Sequence, residues 1–210
     1  MSVAQQNRDT FVQAAVVTPD ALAALDAYAD LLIRWQVRIN LVGPQTLETL
    51  WHRHFLDSAQ LFAHLPPDTQ TLTDIGSGGG FPGLVLAIMT AHQGGPAVTL
   101  IESDARKAAF LREASRVCGA GATIINARVE AAEVPVADVV TARACAPLPR
   151  LLPWVFGRLR ADGIALLLKG ANWRDELTAA EKDWTLTLAK IPSCTDTSGV
   201  ILKLEGLNPN

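Results

Sequence analysis

The chain has 210 residues, 49% of them hydrophobic and 19% charged, enough for one well-buried core with a small extension and too little for two full domains. Its formal net charge is −3, so it lacks the basic excess with which proteins that grip long naked nucleic acid neutralise phosphates. Its longest apolar runs, such as Gly163–Leu168, are a few residues long, against the roughly 20 that span a bilayer.

Met1–Arg8 is polar and holds no hydrophobic signal core, so export is not expected. Cys118, Cys145 and Cys194 are widely spaced, odd in number and form no CxxC pair. That pattern argues against a disulfide framework or a structural zinc site and points to a reducing cytoplasm, with no metal. From Thr18 to about Leu65 the chain reads as helical. Thr18 suits a cap and Pro19 the first helical position, and Leu22, Leu25, Leu32, Trp35 and Ile39 recur at helical spacing. Gly43-Pro44 breaks the pattern, and a second helix is expected from about Thr46 through Leu47, Leu50, Trp51, Phe55, Leu61 and Phe62. Pro66-Pro67-Asp68 reads as a linker, which divides the chain into a helical extension over 1–67, packed on the core, and a main domain over 68–210.

Strands then alternate with helices. Strands are expected at Thr71–Ile75, Ala97–Ile101, Ala122–Asn126, Asp138–Thr141, Ile164–Leu168, Trp184–Leu188 and Val200–Leu204. Helices are expected at Leu84–Ala91, from the Asp104 cap to about Val117, at Leu148–Leu159 and at Trp173–Lys182. Strand-helix alternation implies an α/β fold, a mostly parallel seven-stranded sheet covered on both faces.

The densest signal is the turn Asp74-Ile75-Gly76-Ser77-Gly78-Gly79-Gly80-Phe81-Pro82-Gly83. Glycines there permit positive φ and close approach of a ligand, and ligands of open α/β sheets lie beyond the carboxyl ends of strands. Gly78, Gly80 and Gly83 satisfy the dinucleotide spacing G-x-G-x-x-G, a weak signal alone. Phe81-Pro82 opposes that reading, because it puts a bulky ring and a missing N–H where a pyrophosphate wants donors. S-adenosylmethionine has no phosphate, and its amino-acid end suits Asp74, by direct contact or by bracing the loop. Glu102, at the end of the second strand, suits a ribose in either cofactor.

Several ordered pieces resemble the glucose-inhibited division protein B family, small-subunit ribosomal RNA guanine-N7 methyltransferases. They are Trp35 with Asn40-Leu41, Arg53-His54, Asp57-Ser58, the glycine turn with its Phe-Pro-Gly, Arg128-Val129-Glu130, Arg143-Ala144 and Leu168-Lys169-Gly170. The resemblance runs from about Leu31 to the end. It implies a Rossmann-like class I S-adenosylmethionine-dependent methyltransferase in which Gly76, Phe81, Val129, Glu130 and Arg143 line the cofactor site. Asp74, Ser77, Gly78 and Glu102 complete the expected set. One departure stands out: the family often carries a basic residue or histidine before its last strand, and this chain has Ser198-Gly199.

Methylation at guanine N7 uses a lone pair without a proton, so alignment matters and no general base is needed. Arg128, Arg143 and Lys169 all follow expected strand ends and are the candidate grips for guanine O6 and nearby phosphates. After the fourth strand Arg143-Ala144-Cys145-Ala146-Pro147 replaces the Asn/Asp-Pro-Pro-aromatic segment common in amino-group methylation. Cys145 reads as a small buried thiol rather than a nucleophile. His54 reads as a core-edge histidine bonded to Asp57 or Ser58. Arg34, Arg38, Arg53 and Arg150 could extend a basic rim, while Arg106, Lys107, Arg112 and Arg116 with Glu113 read as a solvated helix face. The acidic balance makes the expected partner small-subunit ribosomal RNA within an assembled or assembling 30S subunit, met by a monomer.

Overall fold

A computed structural model describes residues 2–91 and 95–210; Met1, the first residue of the polar N-terminal stretch, lies outside them. Seven strands form one sheet: β1 (Thr71–Ile75), β2 (Ala97–Ile101), β3 (Thr123–Ile125), β4 (Ala137–Arg143), β5 (Leu159–Lys169), β6 (Trp184–Pro192) and β7 (Val200–Pro209). Their order is β3-β2-β1-β4-β5-β7-β6, with β7 antiparallel to both neighbours and the other pairs parallel. After β3 the chain returns to the far side of β1, so β1 and β4 flank the point where the strand order reverses. Ligand crevices of such sheets open there. Central strands read as unbroken apolar runs because both faces are covered, and Ala165, Leu166 and Leu167 are wholly buried.

One face is packed by α4 (Gly83–Thr90) and α5 (Ala105–Val117), the other by α6 (Leu148–Phe156) and α7 (Trp173–Ala180). Asp104 caps α5 through the amides of Arg106 and Lys107, as its position before the helix requires. The N-terminal helices α1 (Val3–Ala14) and α2 (Pro19–Gln36) share the core of the α4–α5 face. Thr18 caps α2 by accepting from the Ala21 amide, with Pro19 at its first position. Tyr28 of α2 lies against Phe55, Phe81 and Phe110, with ring centroids 5.2, 5.5 and 6.2 Å away.

Three differences from the sequence reading have physical reasons. Helix α1 was not expected, since its one buried residue is Phe11, which packs 5.1 Å from Trp51 and shows no periodic apolar stripe. The expected helix from Thr46 is not regular. A 3-10 turn at Pro44–Thr46 precedes a π-helical stretch at Trp51–Leu56, then the short α3 (Asp57–Ala59) and a 3-10 turn at Gln60–His64. The widened turn keeps Trp51 and Phe55 in the core while delivering His54 and Asp57 to the sheet edge, a use π-helical insertions often serve. Finally, β5 and β7 are longer than expected, because their added ends include the exposed Arg160, Asp162, Gly206, Asn208 and Pro209, which interrupt the apolar pattern.

Among the described residues no helix is long and apolar enough to cross a membrane, and no cluster of three His, Cys, Asp or Glu side chains could hold a metal ion.

Candidate active site

The glycine turn leaves β1 with Gly76, Gly78 and Gly80 at φ +68°, +55° and +98°. Two of these positions admit no side chain. A Cβ on Gly76 would lie 2.5 Å from Cys145 Sγ, and one on Gly80 2.5 Å from the Tyr28 hydroxyl, which donates to the Gly79 carbonyl. The Phe81–Pro82 peptide is cis.

Most of the turn's amides are already bonded, to the end of β2, to Glu102 or within the turn. Gly76 and Ser77 N–H donate to the Ile101 carbonyl at 2.9 and 3.1 Å, and Gly80 and Phe81 N–H to the Ser77 carbonyl at 2.7 and 3.2 Å. Gly78 N–H donates to Glu102 Oε2 at 2.8 Å, and Pro82 has none to offer. A pyrophosphate cradle needs free amides, so this loop suits a ligand without phosphates. Above Gly78 there is room, since a Cβ there would meet only the Gly76 carbonyl, 3.9 Å away, within 4 Å. Glu102 ends β2 as expected and braces the loop, its Oε1 accepting from the Asp104 amide at 2.7 Å.

Asp74 is wholly buried and lines none of the three cavities described below. Thr141 donates to its Oδ1 at 2.7 Å, while Oδ2 has no hydrogen-bond partner among the described residues. Burial pushes its carboxyl up to about 6, with Thr141, Ser77, Gly83 and Arg143 pulling it back. Of the two roles expected for Asp74, this geometry fits bracing and not direct contact.

Three cavities open along the carboxyl edge of the sheet. One, about 330 Å³, is lined by Gly76–Gly79, Phe81, Glu102 and Lys107. A second, about 240 Å³, is lined by Ile75, Gly76, Ser103, Arg128–Glu130, Arg150 and Trp154. The third, about 680 Å³, is lined by residues including His54, Asp57, Arg143, Lys169 and Glu176. Cys145 lines all three, and Gly76 the two smaller ones. The expectation of a simply buried Cys145 is therefore corrected: it is half-buried at the junction of the cavities, and Ala144 before it has φ +49°. Burial, then the Asp74 and Glu102 charges, pushes its thiol up, so it is no nucleophile.

The expected grips are not equivalent. Arg143 ends β4 but turns inward, with Nη1 donating to Asp57 Oδ2 and the Arg53 carbonyl, both at 3.2 Å, and Nη2 to His54 Nδ1 at 2.8 Å. Its guanidinium lies 5.1 Å from the Phe81 ring centroid. Lys169 is 8% exposed, held by Glu176 at 2.6 Å and the Ala146 carbonyl at 2.9 Å. Arg128 is exposed and faces the 240 Å³ cavity with Val129 and Glu130. Arg143 and Lys169 therefore share the large cavity, while Arg128 lines a different one, so the three expected grips do not converge on one cavity. The reason is that residues after successive strands fan out along the edge.

His54 also differs from expectation. Its ring nitrogens meet Arg143 and Thr46 Oγ1, the latter at 2.7 Å, rather than Asp57 or the Ser58 hydroxyl, which donates to the His54 carbonyl. Since Arg143 can only donate, Nδ1 accepts and Nε2 carries the proton to Thr46, whose hydroxyl passes on to the Gly43 carbonyl at 2.7 Å. Burial, then Arg143 and Arg53, lowers His54 to about 3, so the ring stays neutral with both nitrogens engaged. It is not a general base.

Sequence reasoning missed Glu176 and Asp196, and the role of Asp57 as counter-ion; nothing local signals partners 86 or 143 residues apart. Before β7, where Ser198-Gly199 replaces a basic residue, Asp196 takes both the Ser198 amide and hydroxyl and pairs with Arg53 at 3.0 Å. Of the remaining rim candidates, Arg150 covers the Trp154 ring at 5.0 Å beside the 240 Å³ cavity.

Known proteins share this fold. The O-methyltransferase TomG from Streptomyces achromogenes, solved in complex with SAM, superposes with a TM-score of 0.57 at 14% identity, covering 94% of this chain and 95% of that one. The fold is that of class I S-adenosylmethionine-dependent methyltransferases. Ribosomal RNA small subunit methyltransferase G of Paramagnetospirillum magneticum is 53% identical over 189 residues, 90% of each chain. Its namesake from Rhodospirillum centenum is 53% identical over 203 residues, 96% of this chain and 92% of the relative. The GidB family model, described as rRNA small subunit methyltransferase G, matches residues 21–201. With most of its length inside that match, the chain belongs to the GidB family of ribosomal RNA small subunit methyltransferases.

Proposed function

We propose that the protein transfers a methyl group from S-adenosylmethionine to N7 of a guanosine in small-subunit ribosomal RNA. The observation that carries this reading is the meeting, at His54, Arg143 and Cys145, of the cavity beside the glycine loop and a large cavity that Lys169 also lines. The cofactor, when bound, supplies a sulfonium-borne methyl group. Glu102 holds the loop and keeps lone pairs free toward a ribose. Ser103 and Val129–Glu130 line the 240 Å³ cavity that receives the adenine in this reading, and Gly76 and Gly78 let the backbone approach.

The polar groups of the large cavity support N7 as the acceptor. His54 is neutral with both nitrogens bonded, and the Cys145 thiol is raised, so neither stands ready to remove a proton. An acceptor that already has its lone pair needs only alignment, which Arg143 and the aromatic ring beneath it provide. The net charge of −3 favours a substrate whose fold is supplied by the assembled or assembling 30S subunit; the same reading has a monomer meet it in the cytoplasm.

Two measurements test the reading. S-adenosylmethionine at a hundredfold its dissociation constant stabilises a specific binder by about 2.7 kcal/mol, and NAD should give no such shift. Incubation with labelled S-adenosylmethionine and small subunits, followed by nucleoside digestion, should place the label in 7-methylguanosine. Label in any other nucleoside overturns the choice of atom, and equal rates on naked RNA overturn the choice of partner.

A further inference from the structure

The large cavity contains an ion pair that the transfer chemistry does not use. Glu176 Oε2 accepts from Lys169 at 2.6 Å and from the Leu148 amide at 2.9 Å, so the carboxylate is fixed from two sides. Its Oε1 makes no hydrogen bond among the described residues and is not among the buried unpartnered atoms, and the side chain is 23% exposed on the cavity. Lys169 Nζ has three protons, and two of its bonds are accounted for, to Glu176 and the Ala146 carbonyl. The pair thus presents one donor and one acceptor side by side. Guanine offers their complement, with O6 accepting and the adjacent N1–H donating. Adenine offers the reverse, an amino donor beside the N1 acceptor.

We infer that Lys169 and Glu176 read the O6 and N1–H edge of the target guanine, with Glu176 Oε1 as the specificity-determining acceptor. The inference rests on the N7 reading above, which leaves that edge free while N7 faces the methyl donor. An extruded base is read in this way in other nucleic-acid enzymes, by hydrogen bonds to its pairing edge. Glu176 is rigid enough to discriminate, because rotating it would strip the Leu148 amide and Lys169 of a shared partner. Its isosteric replacement Glu176→Gln must keep an oxygen toward those two donors, which turns the amide N–H₂ toward the base and sets donor against donor.

The test pairs enzyme and substrate changes. Methyl transfer is measured for wild type and Glu176→Gln, on small-subunit RNA with guanine, or with 2-aminopurine, at the target position. 2-Aminopurine lacks O6, and its N1 carries no proton. Glu176→Gln should lower kcat/KM on guanine by about 10- to 100-fold, the usual worth of a bidentate base contact. On 2-aminopurine, already slow with wild type, it should change little, and S-adenosylmethionine affinity should stay within about twofold. Equal loss on both substrates, or no loss on guanine, overturns the inference. If wild type makes no 7-methylguanosine at all, the proposed function itself falls, a distinguishable result.

Discussion

Two regions meet at the carboxyl edge of the sheet and are built by opposite means. The glycine-loop side is made of backbone: positive φ angles, amides bonded to the end of β2, to Glu102 or within the loop, and positions where a single Cβ would collide. The Arg143 side is made of side chains from distant segments, with Asp57, His54 and Arg53 brought from the N-terminal helices to β4. The first region resists added atoms at Gly76 and Gly80; the second depends on keeping its partners. In the proposed function, cofactor binding falls to the first side and substrate handling to the second, and the predictions below strain the two sides differently.

The largest effect is expected from Asp57→Ala. It leaves the Arg143 guanidinium, 18% exposed, without its carboxylate, and breaking such a pair costs about 3–5 kcal/mol. Urea denaturation should read that loss and methyl transfer should fall, while S-adenosylmethionine affinity per folded molecule stays within a few-fold. An affinity that collapsed with the activity would show that the two regions cannot be separated.

Next comes pH, where the regions carry opposite signs. Asp74 is raised from 3.8 to about 6 in the fold, so its contribution to stability is full below about pH 4 and is lost as pH rises through 6. His54 is lowered from 6.5 to about 3, so its contribution is present above 6.5 and is lost as pH falls toward 3. Asp74→Asn should therefore gain stability relative to wild type between pH 4 and 7, by about 3 kcal/mol for a shift of this size. His54→Gln should instead lose most at neutral pH. Two profiles of the same sign would contradict the opposed environments.

Gly76→Ala should cost about 2 kcal/mol through positive φ and its contact with Cys145 Sγ, and weaken S-adenosylmethionine binding more than RNA binding. Adding Cys145→Ala should return part of the loss, because the two sites share one clash. The smallest effect belongs to Arg53→Ala. Its pair with Asp196 is half exposed on the arginine side, so less than about 1 kcal/mol is expected in thermal unfolding.

The same contrast explains what the sequence disclosed. β1, β2 and α5 fall where local apolar pattern, glycines and the Asp104 cap put them, and the glycine turn was legible because its chemistry is consecutive. Helix α1 and the π-helical stretch were not, since one Phe11 contact and one widened turn leave no periodic trace. Residues were readable as candidates, yet their pairings were not. Arg143 was expected as a grip for guanine and is bonded to a carboxylate 86 residues away, and Lys169 is held by Glu176 of α7.

The most direct test of the central claim is nucleoside mass spectrometry of small-subunit ribosomal RNA from cells lacking the gene. Loss of one 7-methylguanosine, restored by the wild-type chain and not by Asp57→Ala, is the expected result. Unchanged 7-methylguanosine in the deletion would contradict the account.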